Sequence, residues 1–173
     1  MQILNTAAVL WSVAKKTKPL RAKPMVNLLV DKSVMTKFLV DTLEAKEPVS
    51  ANAMFCIGES NDAWQQTPEK LLAKYTVTSI DNEGWMVCEP KPENSVEFVE
   101  VTRELLEQLG AWEAYVTLGH GYILGQWGQE VEGQKNLQQF AIGDFIARNR
   151  QDVTDQWVVR RKIWLNSYTQ ISG

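Results

Sequence analysis

The same spacing between two aromatic residues occurs twice in this chain of 173 residues. Trp64 is followed eleven positions later by Tyr75, and Trp157 is followed eleven positions later by Tyr168. In both cases an aspartate lies two positions before the Trp, and a leucine lies three positions before the Tyr. An extended aromatic segment that leads into a short helix cannot bury its apolar face alone, so duplicated units of this kind pack as a pair. We therefore interpret these four aromatic residues as structural anchors of two related units.

Strand signals and short helix signals alternate along most of the chain. This pattern favours an α+β fold of short antiparallel strands and small helices, with a duplicated hairpin-plus-helix unit. Residues 54–76 and 143–169 are predicted to follow the same strand–turn–strand–helix path, inside repeat units at about 53–101 and 112–173. The length fits a single compact unit over residues 1–173, because domains usually contain about 100–200 residues.

Residues 1–47 are predicted to form an N-terminal helical segment. Within it, the apolar residues of positions 2–14 recur at helical spacing, which favours an amphipathic helix. Met25–Val30 is a short apolar run bounded by a proline and an aspartate, and it favours a strand. Ser33 is a suitable N-cap for a second helix.

Three later segments carry sharper local signals. Thr67 and Pro68 mark the start of a short helix, because threonine caps helices and proline fits the first helical position. Residues 81–84 favour the turn of a hairpin. Thr102–Leu109 is predicted to be a capped helix that stops at Gly110. The strands of the predicted hairpin are Tyr75–Ile80 and Trp85–Glu89.

The C-terminal third is predicted to contain short strands and one polar loop. Ala114–Leu118 and Tyr122–Leu124 are interpreted as strands on either side of a glycine-rich turn. Gln126–Gln138 is polar and is interpreted as a loop. Phe140–Arg148 and Gln156–Arg160 are predicted to pair as a second hairpin, which a short helical turn follows.

The run Gly143–Ile146 combines glycine, aspartate and an aromatic residue, and Trp157–Tyr168 follows it after a turn. This arrangement resembles a small module at the C-terminus of many uncharacterised phage and prophage proteins. In that module a Gly-Asp-aromatic strand leads through a turn to a second strand and a short helix that ends in Tyr. The earlier copy in this chain has Pro68–Glu69 at the helix start, whereas the later copy has Arg161–Lys162 there. The resemblance implies a fold and brings no activity with it.

The composition is that of a globular protein, with 45% hydrophobic and 23% charged residues. No apolar run approaches the roughly 18 residues that cross a bilayer. The basic residues follow the first apolar stretch, which is the wrong order for a secretory signal. These observations predict a cytoplasmic location and no contact with a membrane.

The two cysteines, Cys56 and Cys88, lie in apolar segments without a CxxC pattern or a neighbouring histidine. We interpret them as buried core thiols, and we expect no metal site, redox motif or cofactor. A disulfide between them is the alternative, and it would require an oxidising compartment.

Basic residues cluster near the C-terminus although the formal net charge is −3. An antiparallel hairpin would bring both arms of this cluster to one face, opposite the acidic run of residues 89–107. A solvated face is one interpretation, and a nucleic-acid site that stacks bases on Trp157 or Trp164 is the other. The basic binding candidates are Arg148, Arg160, Arg161 and Lys162.

His120 lies between two glycines, which would leave its imidazole accessible. No nucleophile or carboxylate has a local spacing that pairs with it, so a solvent-facing turn residue competes with a catalytic role. Tyr122 and Trp127 lie in the same glycine-rich region and are candidates for the rim of a binding loop.

These features predict a small intracellular, non-enzymatic binding or interaction protein, of phage or prophage type, that engages a protein partner. The excess of tryptophan, with seven residues, favours this function because large aromatic residues concentrate at interfaces. A nucleotide or nucleic-acid binder that uses the basic C-terminal hairpin is the alternative. An enzyme centred on His120 is the third hypothesis.

Overall fold

The computed structural model describes residues 1–28, 39–41, 46–48 and 50–172. The predicted helix that begins at Ser33 lies outside these residues. The described part of the chain is α+β, with more strand than helix and with antiparallel sheets.

Short strands alternate with helices of one to two turns. The strands are β1 Ser12–Lys16, β2 Leu20–Pro24, β3 Leu39–Asp41, β4 Lys46–Pro48, β5 Met54–Gly58, β6 Ala63–Gln66, β7 Tyr75–Ile80, β8 Met86–Pro90, β9 Ser95–Glu100, β10 Gly121–Val131, β11 Gln134–Phe140, β12 Phe145–Asn149, β13 Gln156–Val159 and β14 Tyr168–Ser172. The helices are α1 Met25–Leu28, α2 Pro68–Lys74, α3 Arg103–Gln108, α4 Trp112–Leu118 and α5 Arg161–Ser167.

Two five-stranded sheets organise the molecule. The first has the order β6-β5-β2-β8-β7, and the second has the order β13-β12-β9-β1-β14. Strand β1 therefore lies in the second sheet although β2, which follows it directly, lies in the first. Strand β8 lies in the first sheet although β9 lies in the second. Strand β1, near the start of the chain, thus lies in a sheet whose other strands all come after residue 94, which ties the two sheets together.

The element order around each sheet is the same. The two series compared are β5, β6, α2, β7 and β12, β13, α5, β14. In each, two antiparallel strands lead into a helix of seven residues and then into a strand that begins with Tyr. Trp64 and Trp157 are each the second residue of the strand before the helix. The last residue of each helix accepts a matching backbone bond: the Thr17 N–H donates to the Ser167 carbonyl at 2.8 Å, and the Lys91 N–H donates to the Lys74 carbonyl at 2.9 Å.

Local signals explain the start of two helices. The Thr67 side chain accepts a hydrogen bond from the Lys70 N–H, and Pro68 occupies the first helical position. The Thr102 side chain accepts one from the Leu105 N–H in the same way. These predicted helix starts and the predicted hairpin of β7 and β8 are confirmed.

Both sheets pack against apolar cores, and the second sheet does so on both of its faces. The core of the first sheet contains Leu20, Ala22, Met54, Cys56, Leu71, Tyr75 and Cys88. The cores of the second sheet contain Ala14, Val96, Phe98, Phe145, Ala147, Val159 and Trp164 on one side, and Leu4, Val101, Leu106, Ala111, Ile123, Phe140, Ile146 and Val158 on the other.

The predicted helix over residues 2–14 is wrong, and with it the helical segment 1–47 as far as it is described. Residues 12–16 form β1, which pairs with β9 on one side and with β14 on the other. Ala14 is fully buried at its centre. Two ladders of backbone hydrogen bonds outweigh a helical pattern of apolar residues, since tertiary context overrides weak local preference.

The predicted strand Met25–Val30 is also wrong in its described part. The strand precedes this run and ends at Pro24, and Met25–Leu28 forms one helical turn with Met25 and Leu28 buried. The Met25 N–H donates to the Ala53 carbonyl at 2.9 Å, which continues the contact with the neighbouring strand for one more residue.

Two predictions in the C-terminal third are corrected. Residues 112–118 form helix α4 and not a strand, and Gly119 ends it with φ 77°. Residues 126–138 are not a loop, because they belong to the long hairpin of β10 and β11. The buried Gln138 explains how this polar segment packs: its amide accepts from the Val158 N–H and donates to the Trp127 carbonyl, both at 2.9 Å.

Both cysteines are free and fully buried, as predicted. Strand β2 lies between β5, which carries Cys56, and β8, which carries Cys88. Two strand spacings of about 5 Å each place the thiols too far apart for a disulfide.

Candidate ligand-binding site

A cavity of about 150 Å³ lies where the edge strands of the two sheets meet. Its wall contains β6 from the first sheet, β13 from the second, and the middle of the hairpin formed by β10 and β11. We call this space the intersheet cavity, and the wall residues used below are Lys16, Asp62, Trp64, Lys70, Lys74, Tyr75, Asn94, Gln126, Trp127, Asp155, Trp157 and Tyr168. An apolar cavity of similar volume holds a benzene-sized molecule.

Aromatic rings from both halves of the chain surround Lys16 in this cavity. The Lys16 Nζ lies 4.9 Å from the centre of the Trp64 ring, 5.6 Å from Tyr75 and 5.5 Å from Tyr168. An ammonium group within about 6 Å of a ring centre is attracted to the ring face. Lys16 is the last residue of β1, so the exchange of this strand between the sheets places the cation here.

Lys74 spans the cavity from the opposite side. Its backbone lies at the end of α2, which leads into β7 of the first sheet. Its Nζ lies 4.8 Å from the centre of the ring of Trp157, which belongs to the second sheet. The pKa of Lys74 is lowered from 10.5 to about 8. Burial is the largest cause, Asp155 opposes it, and the neighbouring cations Lys16 and Lys70 act in the same direction as burial. In the described part of the chain, neither Lys16 nor Lys74 forms an ion pair with a carboxylate.

Lys70 differs from the other two lysines because its charge is compensated. Its Nζ lies 3.1 Å from Asp155 Oδ2 and also donates to the Gln126 side chain. Gln126 in turn donates to Asp152 at 3.0 Å. This chain of contacts fixes the hairpin of β10 and β11 against α2 and closes one side of the cavity.

Three buried polar atoms of the wall have no hydrogen-bonding partner among the described residues: Asp62 Oδ1, the Tyr75 hydroxyl and Asn94 Nδ2. Tyr75 and Asn94 are neighbours, but their polar atoms do not meet in hydrogen-bonding geometry. Burial raises the pKa of Tyr75, which keeps its hydroxyl protonated and able to donate. Buried polar groups are normally paired, so these atoms are candidates for contact with water or a ligand.

The Asp62 carboxylate lies directly against the Gly58 backbone. A Cβ on Gly58 would come within 2.3 Å of Asp62 Oδ1, so only glycine leaves room for the carboxylate there. The Gly58 N–H also donates to the Asp62 carbonyl at 2.9 Å. The turn that begins at Gly58 therefore holds Asp62 at the cavity wall.

The four aromatic anchors predicted from the spacing all line the intersheet cavity. Tyr75 is buried, whereas Trp64, Trp157 and Tyr168 are half-buried. Trp127, predicted for a binding rim, lies in the same wall. Trp164 was considered for base stacking, but it is 5% exposed and stacks on Phe145 at 4.8 Å inside the core.

The basic C-terminal residues are placed beside acidic partners. Arg148 pairs with Glu97 at 2.9 Å, Arg160 pairs with Asp144, and Arg161 pairs with Glu100. Two of these partners belong to the acidic run of residues 89–107, because β9 pairs with β12. Lys162 is exposed on α5. The structure does not bring these residues to the intersheet cavity.

His120 and Tyr122 lie together at a different place. His120 Nε2 is 3.2 Å from the Tyr122 hydroxyl, and the two rings meet edge to face. Tyr122 is buried, so it is not a rim residue. The cavity beside His120 has a volume of about 10 Å³, which is no larger than a single water requires.

Sequence reasoning missed Lys16, Lys70 and Lys74 as site residues. Lys16 lies in a basic run that is typical of a solvated face, and the other two lie on a short helix whose charges look ordinary. One signal was available: Lys74 directly precedes Tyr75, which the aromatic spacing had marked as a structural anchor.

Among the residues that the structure describes, no helix combines the length and the apolarity needed to cross a membrane. Comparison with protein-family models, with curated proteins and with solved structures finds no match to this chain.

Proposed function

We propose that the protein is a non-enzymatic binding protein that holds a small anionic ligand with a flat, apolar body in the intersheet cavity. One observation carries the proposal. Lys16 and Lys74 both lie against aromatic rings of the same cavity, and neither has a carboxylate partner in the described residues. An uncompensated cation in a half-buried, aromatic space attracts an anion more strongly than one in water.

The shape and charge of the wall support this ligand class. Three lysines and two aspartates line the cavity, so the wall carries one net positive charge when all of them are ionised. Trp64 and Trp157 supply flat apolar surfaces from opposite sheets. The volume fits a single substituted aromatic ring, because a cavity of this size holds benzene.

Benzoate tests the proposal, with benzamide and benzylammonium as neutral and cationic analogues of the same shape. We expect benzoate to quench the tryptophan fluorescence saturably, and the two analogues to bind at least about tenfold more weakly. Lys16→Met and Lys74→Met are expected to weaken benzoate binding, while the exposed control Lys162→Met leaves it unchanged. Equal binding of all three compounds, or binding that survives both cavity variants, would overturn the proposal.

We also infer that the chain is a duplicated hairpin-plus-helix unit. The equal helix lengths, the equivalent positions of Trp64 and Trp157, and the matching backbone bonds to Ser167 and Lys74 support it. A crystal structure tests it by superposition of residues 54–76 on residues 143–169. Different chain paths, or the two Trp residues at different positions, would contradict the duplication.

The predicted protein partner, the nucleic-acid alternative and the phage-type resemblance stay predictions. The ion pairs of Arg148, Arg160 and Arg161 give no support to a basic face for polyanions.

A further inference from the structure

We infer that Lys74 captures a carbonyl-bearing ligand as a reversible imine, and that its ligand is a small aldehyde or ketone that also carries a carboxylate. This inference rests on the proposed function, since it uses the same cavity. It adds a covalent step and assigns a separate role to one lysine.

The position of Lys74 meets the geometric needs of such an amine. Its backbone is fixed at both sides, because its carbonyl accepts the Lys91 N–H and its helix is capped by Thr67. The side chain crosses to the opposite sheet and ends over the Trp157 ring. The amine therefore reaches the open volume of the cavity from a rigid base.

The surroundings of the amine raise the fraction of Lys74 that is neutral near pH 7.5. Only a neutral amine attacks a carbonyl, and an ordinary lysine is almost fully protonated at neutral pH. The cations Lys16 and Lys70 both oppose a further positive charge at Lys74, and burial acts in the same direction. Lys70 is neutralised by Asp155 and held by Gln126, so it does not compete for the carbonyl.

The three lysines then have different tasks. Lys16, enclosed by Trp64, Tyr75 and Tyr168, attracts the ligand carboxylate. Lys70 fixes the cavity wall. The nitrogen of Lys74 bonds to the carbonyl carbon, and the carbonyl oxygen leaves as water with the two protons that the amine gives up. The imine nitrogen takes one proton from solvent, and hydrolysis by water reverses the reaction.

The experiment uses the full chain, 4-carboxybenzaldehyde as the probe and cyanoborohydride to reduce any imine to a stable secondary amine. Peptide mapping after cleavage with a protease that does not cut at lysine locates the label. At pH 7.5 we expect Lys74 to be labelled at least about tenfold more than the exposed Lys162. Excess benzoate should suppress the label at Lys74 and leave the label at Lys162 unchanged.

Lys74→Arg is the matched variant, because it keeps a cation and cannot form an imine. It is expected to lose the cavity label. The exposed control Lys162→Met should leave both the label at Lys74 and benzoate binding unchanged. If Lys74 is labelled no more than Lys162 while benzoate still binds saturably, the imine is rejected and the binding site is retained. The absence of both signals overturns the binding site and the imine together.

Discussion

Tyr75 and Tyr168 follow two seven-residue helices in almost the same backbone conformation, with φ and ψ of −129° and 151° at Tyr75 and of −127° and 149° at Tyr168. The N–H of each tyrosine donates to the residue four positions earlier, Leu71 in one case and Trp164 in the other. Both rings then face Lys16 across the same cavity. Two equivalent chain paths thus converge on one cation that neither of them contains.

The titration of Lys74 is expected to appear in the pH dependence of stability. Burial lowers its pKa from 10.5 in the unfolded chain to about 8 in the folded protein. Between these values the unfolded chain binds more protons at this site, so Lys74 contributes stability that increases as the pH rises from about 8 to 10.5. Urea unfolding of the wild type and of Lys74→Met should show a difference in free energy that shifts in favour of the wild type over this range. A difference that stays constant from pH 7.5 to pH 10 would contradict the lowered pKa.

Trp164 and Trp157 are expected to differ in their effect on stability. Trp164 is buried among Phe98, Phe145 and Tyr168, so Trp164→Ala should cost about 3–5 kcal/mol of unfolding free energy. Trp157, which the aromatic spacing marked as a structural anchor, is only half-buried at the cavity wall. Trp157→Ala should therefore cost less and should weaken benzoate binding. Chemical denaturation measures both variants. An equal loss of unfolding free energy in Trp164→Ala and Trp157→Ala would show that Trp157 is a core residue and not a cavity residue.

The two thiols are expected to be inert in the folded protein. Burial raises the pKa of Cys56 to about 12 and raises that of Cys88 in the same direction, and only the thiolate reacts with disulfide reagents. A chromogenic thiol assay at pH 8 should detect neither cysteine in the native protein and both in denaturant. Fast reaction of one thiol without denaturant would show that its strand opens readily.

The basic C-terminal residues are expected to stabilise the fold and not to bind polyanions. Arg160 pairs with Asp144, which is 7% exposed, so Arg160→Ala leaves a buried carboxylate without its cation and should cost about 1–3 kcal/mol. The more exposed pair of Arg161 and Glu100 should contribute less than about 1 kcal/mol. Thermal unfolding of the two single variants measures this difference.

Fluorescence anisotropy with labelled DNA and RNA tests the alternative function. We expect no binding at physiological salt. Micromolar binding that weakens with salt and disappears in the Arg160→Ala, Arg161→Ala double variant would establish a nucleic-acid site instead. Such a result would favour nucleic-acid binding over ligand binding in the intersheet cavity as the main function.

Short-range chemistry made several elements predictable from the chain alone. Thr67 and Thr102 cap the helices that they were predicted to cap, because their hydroxyls reach N–H groups only three residues away. Residues 81–84 turn the chain between two strands, and the Asp81 carboxylate accepts from the Glu83 and Trp85 N–H groups. Each of these structures depends on atoms that are close in sequence.

Pairing between segments that are distant in sequence determined the elements that were predicted wrongly and the position of the cavity lysines. Residues 12–16 have a local pattern that fits a helix, yet they form a strand because β9 and β14, both more than 75 positions away, offer ladders on either side. The same pairing carries Lys16 into a cavity whose other cation, Lys74, comes from a different sheet. The periodicity of apolar residues indicates which faces are buried, but it does not identify the strand with which a segment will pair. The aromatic spacing therefore marked the walls of the site, whereas the exchange of β1 between the sheets supplied the charge inside it.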